Sequence, residues 1–228
     1  VRVRHVFGRA LSPNFRSMVM RLYSFQCFYF AGIHAGIQTA HSVAEIAVKY
    51  QNPKSDTDKV AAHNFHLWAQ DHKTIIVKNG GMAGDLRNLI ELLELEDNPH
   101  PWAYFKESEY AADGCLTNVS LVVPTNIWML ADALRRPGNY TIRLGNEVYA
   151  VMDLDTGEYV DMGEEDGGDL YREHGCFSLA QSTIHHYIYN KGTLPKSPNM
   201  GPDQNRAYVK ISEFNYSLIK HMNKCGLM

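Results

Sequence analysis

Four short apolar runs are set apart by stretches of helical periodicity, and this alternation limits the fold more than any other feature. The runs are "RLYSFQCFYF" (21–30), "KTIIVKN" (73–79), "PWAYFKES" (101–108) and "TNVSLVVP" (117–124). Each is strand-sized and rich in aromatic or β-branched residues. Between the first two lie helical patterns over 31–51 and 57–72, divided by "NPKSD", where Pro53 breaks one helix and Asp56 starts the next. "GGMAGDLRNLIELLELE" is a glycine turn entering an amphipathic helix, and "NIWMLADALRR" is a helix stopped by "PGN". The order is β-α-α-β-α-β-β-α. Strands separated by helices predict an α/β domain over 20–138: a small four-stranded mixed sheet with helices on its faces.

Beyond Asn139 the texture changes to an α+β addition over 140–228. "EVYAVMDL" and "EYVDM" suggest a hairpin turning at "DTG", and "SLAQSTIHHYIYNKG" and "RAYVKISEFNYSLIKHMNKCG" read as helices. Residues 1–19 mix four arginines with Pro13 and have no long apolar core, so they read as a leader that need not be ordered. Met18 and Met20 are alternative starts. No run approaches the ~20 apolar residues of a membrane span, so no membrane is expected and the location reads as cytoplasmic. Four scattered cysteines without a CxxC pair fit free thiols. Residues 1–50 hold six Arg/Lys against one Glu, whereas 151–200 hold three against nine Asp/Glu. A polyanionic partner is therefore drawn to the first part and repelled by the second.

The helix "AGIHAGIQTAHSVAEIAVKYQ" carries an apolar arc of Ile33, Gly36, Ile37, Ala40, Val43, Ala44, Ala47 and Val48. This arc is expected to face the core. The opposite edge holds His34, Gln38, His41 and Glu45 where lysines would serve for solvation. Further on, the loop before the last strand carries "DGCLT", with Asp113 and Thr117 four apart.

"AGIQTAH" on the first helix and "DGCLT" before the last strand, in this order of elements, resemble the type 2 peptidyl-tRNA hydrolases over residues 20–136. In that family the first helix opens with a "GKxAAQxxH"-like motif and the last loop bears "DAGRT". The resemblance implies hydrolysis of the ester between a peptide, or an N-blocked amino acid, and the tRNA 3′ end. It implies catalytic residues at Gln38, His41, Asp113 and Thr117, with His34 at the position of the family lysine. It implies tRNA as partner and no cofactor or metal. Two departures stand out: the lysine is His34, and the arginine of the loop is Leu116. A histidine is cationic only below neutral pH. The alternative is accordingly a catalytically inactive module of the same fold that binds a protein or RNA partner. A homodimer and a protein partner for the acidic C-terminal addition are further expectations.

The chemistry needs a placed water, a proton acceptor and donors for the tetrahedral oxyanion. Asp113 suits the acceptor or the water's holder, Thr117 suits orienting Asp113 or the ribose hydroxyls, and the helix start near Ala31 offers free N–H groups. Other readings compete for the same residues. His41 and Glu45 at i, i+4 can share an ion, but no third ligand is evident. "HGC" (174–176) with His185 and His186 offers zinc donors, for which boundary packing is the simpler account. "NGGMAGD" lacks the GK[ST] of a nucleotide loop and reads as a turn capped by Asp85. A His-Gln-His-Glu edge, taken alone, is an ordinary solvated helix boundary.

Overall fold

The computed structural model describes residues 19–30, 32–138, 141–144, 147–153, 158–159 and 206–228. Its elements are β1 (Met20–Gln26), α1 (Ile33–Lys49), α2 (Asp56–Leu67), β2 (Thr74–Asn79), α3 (Ala83–Leu93), β3 (Trp102–Lys106), α4 (Glu109–Ala112), β4 (Leu116–Pro124) and α5 (Thr125–Ala133). After these come β5 (Thr141–Leu144), β6 (Glu147–Asp153), β7 (Arg206–Ile211) and α6 (Glu213–Lys224). The first four strands form one mixed sheet in the order β2-β1-β4-β3, with β1 and β2 parallel and the other pairs antiparallel. This is the α/β fold class that the alternation predicts.

Alternation along the strands sends two sets of side chains to two faces. Met20, Leu22, Ala103 and Val122 pack with Ile46 of α1 and with Phe65 and Trp68 of the second helical stretch. Tyr23, Phe25, Val119 and Leu121 face the other way, onto Leu86 and Leu89 of α3 and Leu130 of α5. The same core contains Phe214, Leu218, Ile219 and Met222 of α6. The last helix thus lies on the α3/α5 face, opposite α1.

Local chemistry sets the element ends. Ser55 and Asp58 form a reciprocal capping box at the start of α2, with Asp58 N donating to Ser55 Oγ at 2.9 Å and Ser55 N to Asp58 Oδ2 at 3.2 Å. Past Leu67 the helix widens into one π turn, Trp68–His72, and Lys73 with φ 50° ends it. At the exit of β2, Gly80 leaves no room for a side chain. A Cβ there would lie 2.6 Å from Leu86 Cδ2 and 3.0 Å from Gln26 O. This close approach explains the glycine turn better than phosphate binding does, and Asp85 Oδ2 accepts from Met82 N at 2.8 Å to start α3.

Two expectations change. "RAYVKI", read as the start of a helix, is β7, and α6 begins only after Ser212, whose Oγ accepts from Asn215 N at 3.1 Å. Its alternating pattern pairs with β6, so β6 has β5 on one side and β7 on the other. The "DTG" turn and the helix expected over 178–192 lie outside the described residues. The second change concerns α1. Its buried residues are Ala35, Gln38, Thr39, Ser42 and Ile46, while Ile33 and Val48 of the expected apolar arc are 77% and 68% exposed. The sheet supplies the reason. Beneath α1 it presents Ser24, Gln26, Asn118 and Ser120, all fully buried, so the helix turns the Thr39 and Ser42 hydroxyls inward to bond Ser24, Gln26 and Ser120.

Candidate functional site

The polar layer under α1 is a connected network. Gln26 Nε2 reaches Thr39 Oγ1 at 2.8 Å and Ala35 O at 3.1 Å, and Ser42 Oγ meets Ser120 Oγ at 2.6 Å. Asn118 Nδ2 donates to Ser24 Oγ at 2.7 Å, and Ser120 Oγ to Asn118 Oδ1 at 2.9 Å. Buried bonds of this kind fix a helix in one register on its sheet, because any slip leaves polar groups unpaired. α1 is therefore held rigidly where it carries Gln38.

At the end of the layer the two sequence motifs meet. Thr117 Oγ1 donates to Gln38 Oε1 at 2.8 Å, and Gln38 Nε2 donates to Glu107 Oε1 at 2.6 Å. A hydroxyl on the amide oxygen and a carboxylate on the amide nitrogen fix which way the Gln38 amide points. Thr117 reaches this position through a bulge. Phe105 pairs with Asn118 but Lys106 with Leu116, leaving Thr117 as the extra residue of β4. In strict alternation Thr117 would share the α3/α5 face with Val119. The bulge turns it toward α1 instead. Glu107 continues the parity of Ala103 and Phe105 on β3, and its N–H donates to Cys115 O at 3.0 Å.

His41 is exposed and stacks on Phe105, with ring centroids 4.3 Å apart and planes 13° from parallel. His34 is exposed in the first turn of α1. Asp113 is exposed at the C-cap of α4 with φ 53°, and its N–H donates to Glu109 O at 3.2 Å. Among the described residues no hydrogen bond or ion pair joins the Asp113 or His34 side chain to Gln38 or Thr117. Thr117 thus orients Gln38 rather than Asp113. All five expected residues nonetheless belong to one end of the sheet, where β1 and β3 finish and α1 and β4 begin.

The start of α1 is open. Gly32 (φ 58°) occupies its N-cap with no side-chain cap, and the first turn holds no acidic residue. Among the described residues no side chain caps its first N–H groups, which with the positive end of the helix dipole suit a negatively charged group. Among the described residues no three His, Cys, Asp or Glu side chains converge as a metal site. The pair His41 and Glu45 therefore stays without a third ligand there, and the "HGC" group lies outside the described residues.

Sequence reasoning missed Glu107 and Phe105. The only signal for Glu107 is its parity with Ala103 and Phe105, which has meaning once the α1 face of β3 is known. No protein-family model, curated protein or solved structure matches the chain.

Proposed function

We propose that the chain hydrolyses the ester joining a peptide, or an N-blocked amino acid, to the 3′ ribose of a tRNA. The observation that carries this reading is the Thr117–Gln38–Glu107 chain of hydrogen bonds. It draws together the two motifs on which the resemblance to type 2 peptidyl-tRNA hydrolases rests, and does so at the open start of α1. In this reading Asp113 takes a proton from water as the water oxygen adds to the ester carbonyl. The N–H groups at the start of α1 hold the resulting oxyanion. The carbon–oxygen bond to the ribose then breaks, and the proton passes to the departing ribose oxygen. Gln38, locked by Thr117 and Glu107, positions the water with its remaining amide N–H. His34 takes the terminal phosphate, and His41, seated on Phe105, shapes the rim. Such an activity belongs to translation in the cytoplasm. Among the described residues no helix is long and apolar enough to cross a membrane.

A second reading is a non-catalytic binding module, acting alone or as a homodimer. Its supporting observation is that, among the described residues, neither the His34 nor the Asp113 side chain is tied into the hydrogen-bonded chain. Incubating the purified protein with N-blocked aminoacyl-tRNA labelled in the amino acid separates the two readings. Release of label supports the esterase. Retention of intact tRNA without release supports the module.

A further inference from the structure

Among the described residues β3 is the last strand of its sheet, and its outer edge faces a groove of about 1000 Å³. The groove floor is Trp102 through Lys106. Glu45, Val48 and Lys49 of α1, with Asp58 of α2, form one wall, and Glu94, Leu95 and Glu96 beyond α3 form the other.

The register of β3 tells which of its backbone groups are free. Val122 N donates to Pro101 O at 2.9 Å, so residues 101 and 122 are a hydrogen-bonded pair. In an antiparallel ladder such pairs alternate, which makes Ala103/Ser120 and Phe105/Asn118 the next two. Trp102 and Tyr104 therefore turn their N–H and C=O groups outward. The Tyr50 hydroxyl meets the Trp102 backbone. Tyr104 keeps an outward donor and acceptor that no described residue bonds.

The charge of the walls selects what can lie there. Four carboxylates (Glu45, Asp58, Glu94 and Glu96) face two ammonium groups, and one of these, on Lys49, sits 3.5 Å over the Trp102 ring. Both walls are acidic, so a strand laid between them meets carboxylates on both of its faces.

We infer that this groove takes an extended, lysine- or arginine-rich segment of a partner protein, which adds to β3 as a fifth strand. Main-chain bonds to Tyr104 give the register, and the carboxylates of the two walls give the preference for basic side chains. The inference does not rest on the hydrolytic reading, since peptide binding and ester cleavage are measured separately.

The test is fluorescence anisotropy on the full chain with a labelled, capped peptide of about six residues, long enough at ~3.3 Å per residue to cover β3. Lysine alternates with threonine or valine in the peptide. A twin carries glutamate for lysine, and two further versions are N-methylated at alternate residues in the two possible frames. The expected result is binding of the basic peptide that weakens with salt and is lost in the glutamate twin. N-methylation should abolish binding in one frame and spare it in the other. Tyr104→Pro removes the outward N–H without touching the ladder to β4, as proline is tolerated on edges. It should weaken binding roughly two- to tenfold, the affinity worth of one lost main-chain bond. The paired change Glu94→Lys with Glu96→Lys, at exposed positions, should do the same if Tyr104→Pro does not fold. Equal binding of the glutamate twin, equal binding in both N-methylated frames, or no binding of the basic peptide overturns the inference. So does a stable dimer in which a second copy already occupies β3.

Discussion

Thr117 and Gln38, 79 residues apart in sequence, share a fully buried hydrogen bond of 2.8 Å, and Gln38 passes it on to Glu107. Removing the Thr117 hydroxyl leaves the Gln38 amide oxygen buried without its donor. Thr117→Val should therefore cost about 1–3 kcal/mol, the desolvation penalty of an unpaired buried acceptor. Combined with Gln38→Met, the loss should fall short of the sum of the two single losses by about 0.5–3 kcal/mol, as for residues in one network. Urea denaturation of the four proteins measures this. Strict additivity would mean that the bond carries no coupling energy.

Acid should weaken the fold through His100. Its side chain is buried, Nε2 bonds Asn215 Oδ1 at 2.8 Å, and Nδ1 has no partner among the described residues. Burial pushes its pKa down to about 4 against 6.5 for a free histidine, with the Asn215 bond opposing the shift. The folded chain thus holds His100 neutral where the unfolded chain already takes up a proton. Stability from this group is full above pH ~6.5 and is lost as pH falls toward ~4, by roughly 3 kcal/mol in all. Burial also lowers the pKa of His221, which acts in the same direction. The thermal midpoint followed from pH 7 to 4 should fall, and His100→Asn should flatten the fall.

Removing the C-terminal part should unfold the first sheet. Phe214, Leu218, Ile219 and Met222 are each no more than 2% exposed and complete the core over Phe25, Leu86 and Leu130. Losing side chains worth about 1.5–3 kcal/mol each rivals the ~5–15 kcal/mol that holds a domain together. A chain ending at Asn139 should show no cooperative melting. A milder variant probes the same contact. Lys78 Nζ, buried, donates to Met222 O at 2.6 Å and Cys225 O at 2.8 Å, closing the C-terminal end of α6. Lys78→Met should lower stability by about 1–3 kcal/mol by leaving those carbonyls unpaired. A melt unchanged from wild type would show that α6 docks without it.

The strands and helices of the first sheet are legible because their apolar patterns differ, a short unbroken run in "KTIIVKN" and a period of about 3.6 in "DLRNLIELL". The face of α1 was not legible. Its outward isoleucines and valine imitate a core stripe, and only the sheet's buried serines, glutamine and asparagine explain why Thr39 and Ser42 turn inward. Gln38 and Thr117 could be singled out by their spacing, but their meeting depends on the bulge at Thr117, which no residue in "DGCLT" announces. Glu107 was hidden for the same reason, since its role exists only relative to Gln38. "RAYVKI" misled because it runs without a break into a helical pattern, and Ser212 alone marks the boundary.

The most direct test of the central claim compares wild type with Asp113→Ala in the release of a labelled N-blocked amino acid from tRNA, with tRNA affinity measured in parallel. Asp113 is exposed at the end of α4 and bonds no other side chain among the described residues, so its loss should keep the fold, at a cost of about 1–2 kcal/mol for an alanine at its φ of 53°. Wild type should release the label, and release should slow about 10²–10⁴-fold in Asp113→Ala, the usual contribution of a general base. tRNA affinity should stay near that of wild type. Release by Asp113→Ala at the wild-type rate, or no release by folded wild type that binds the tRNA, would contradict that claim.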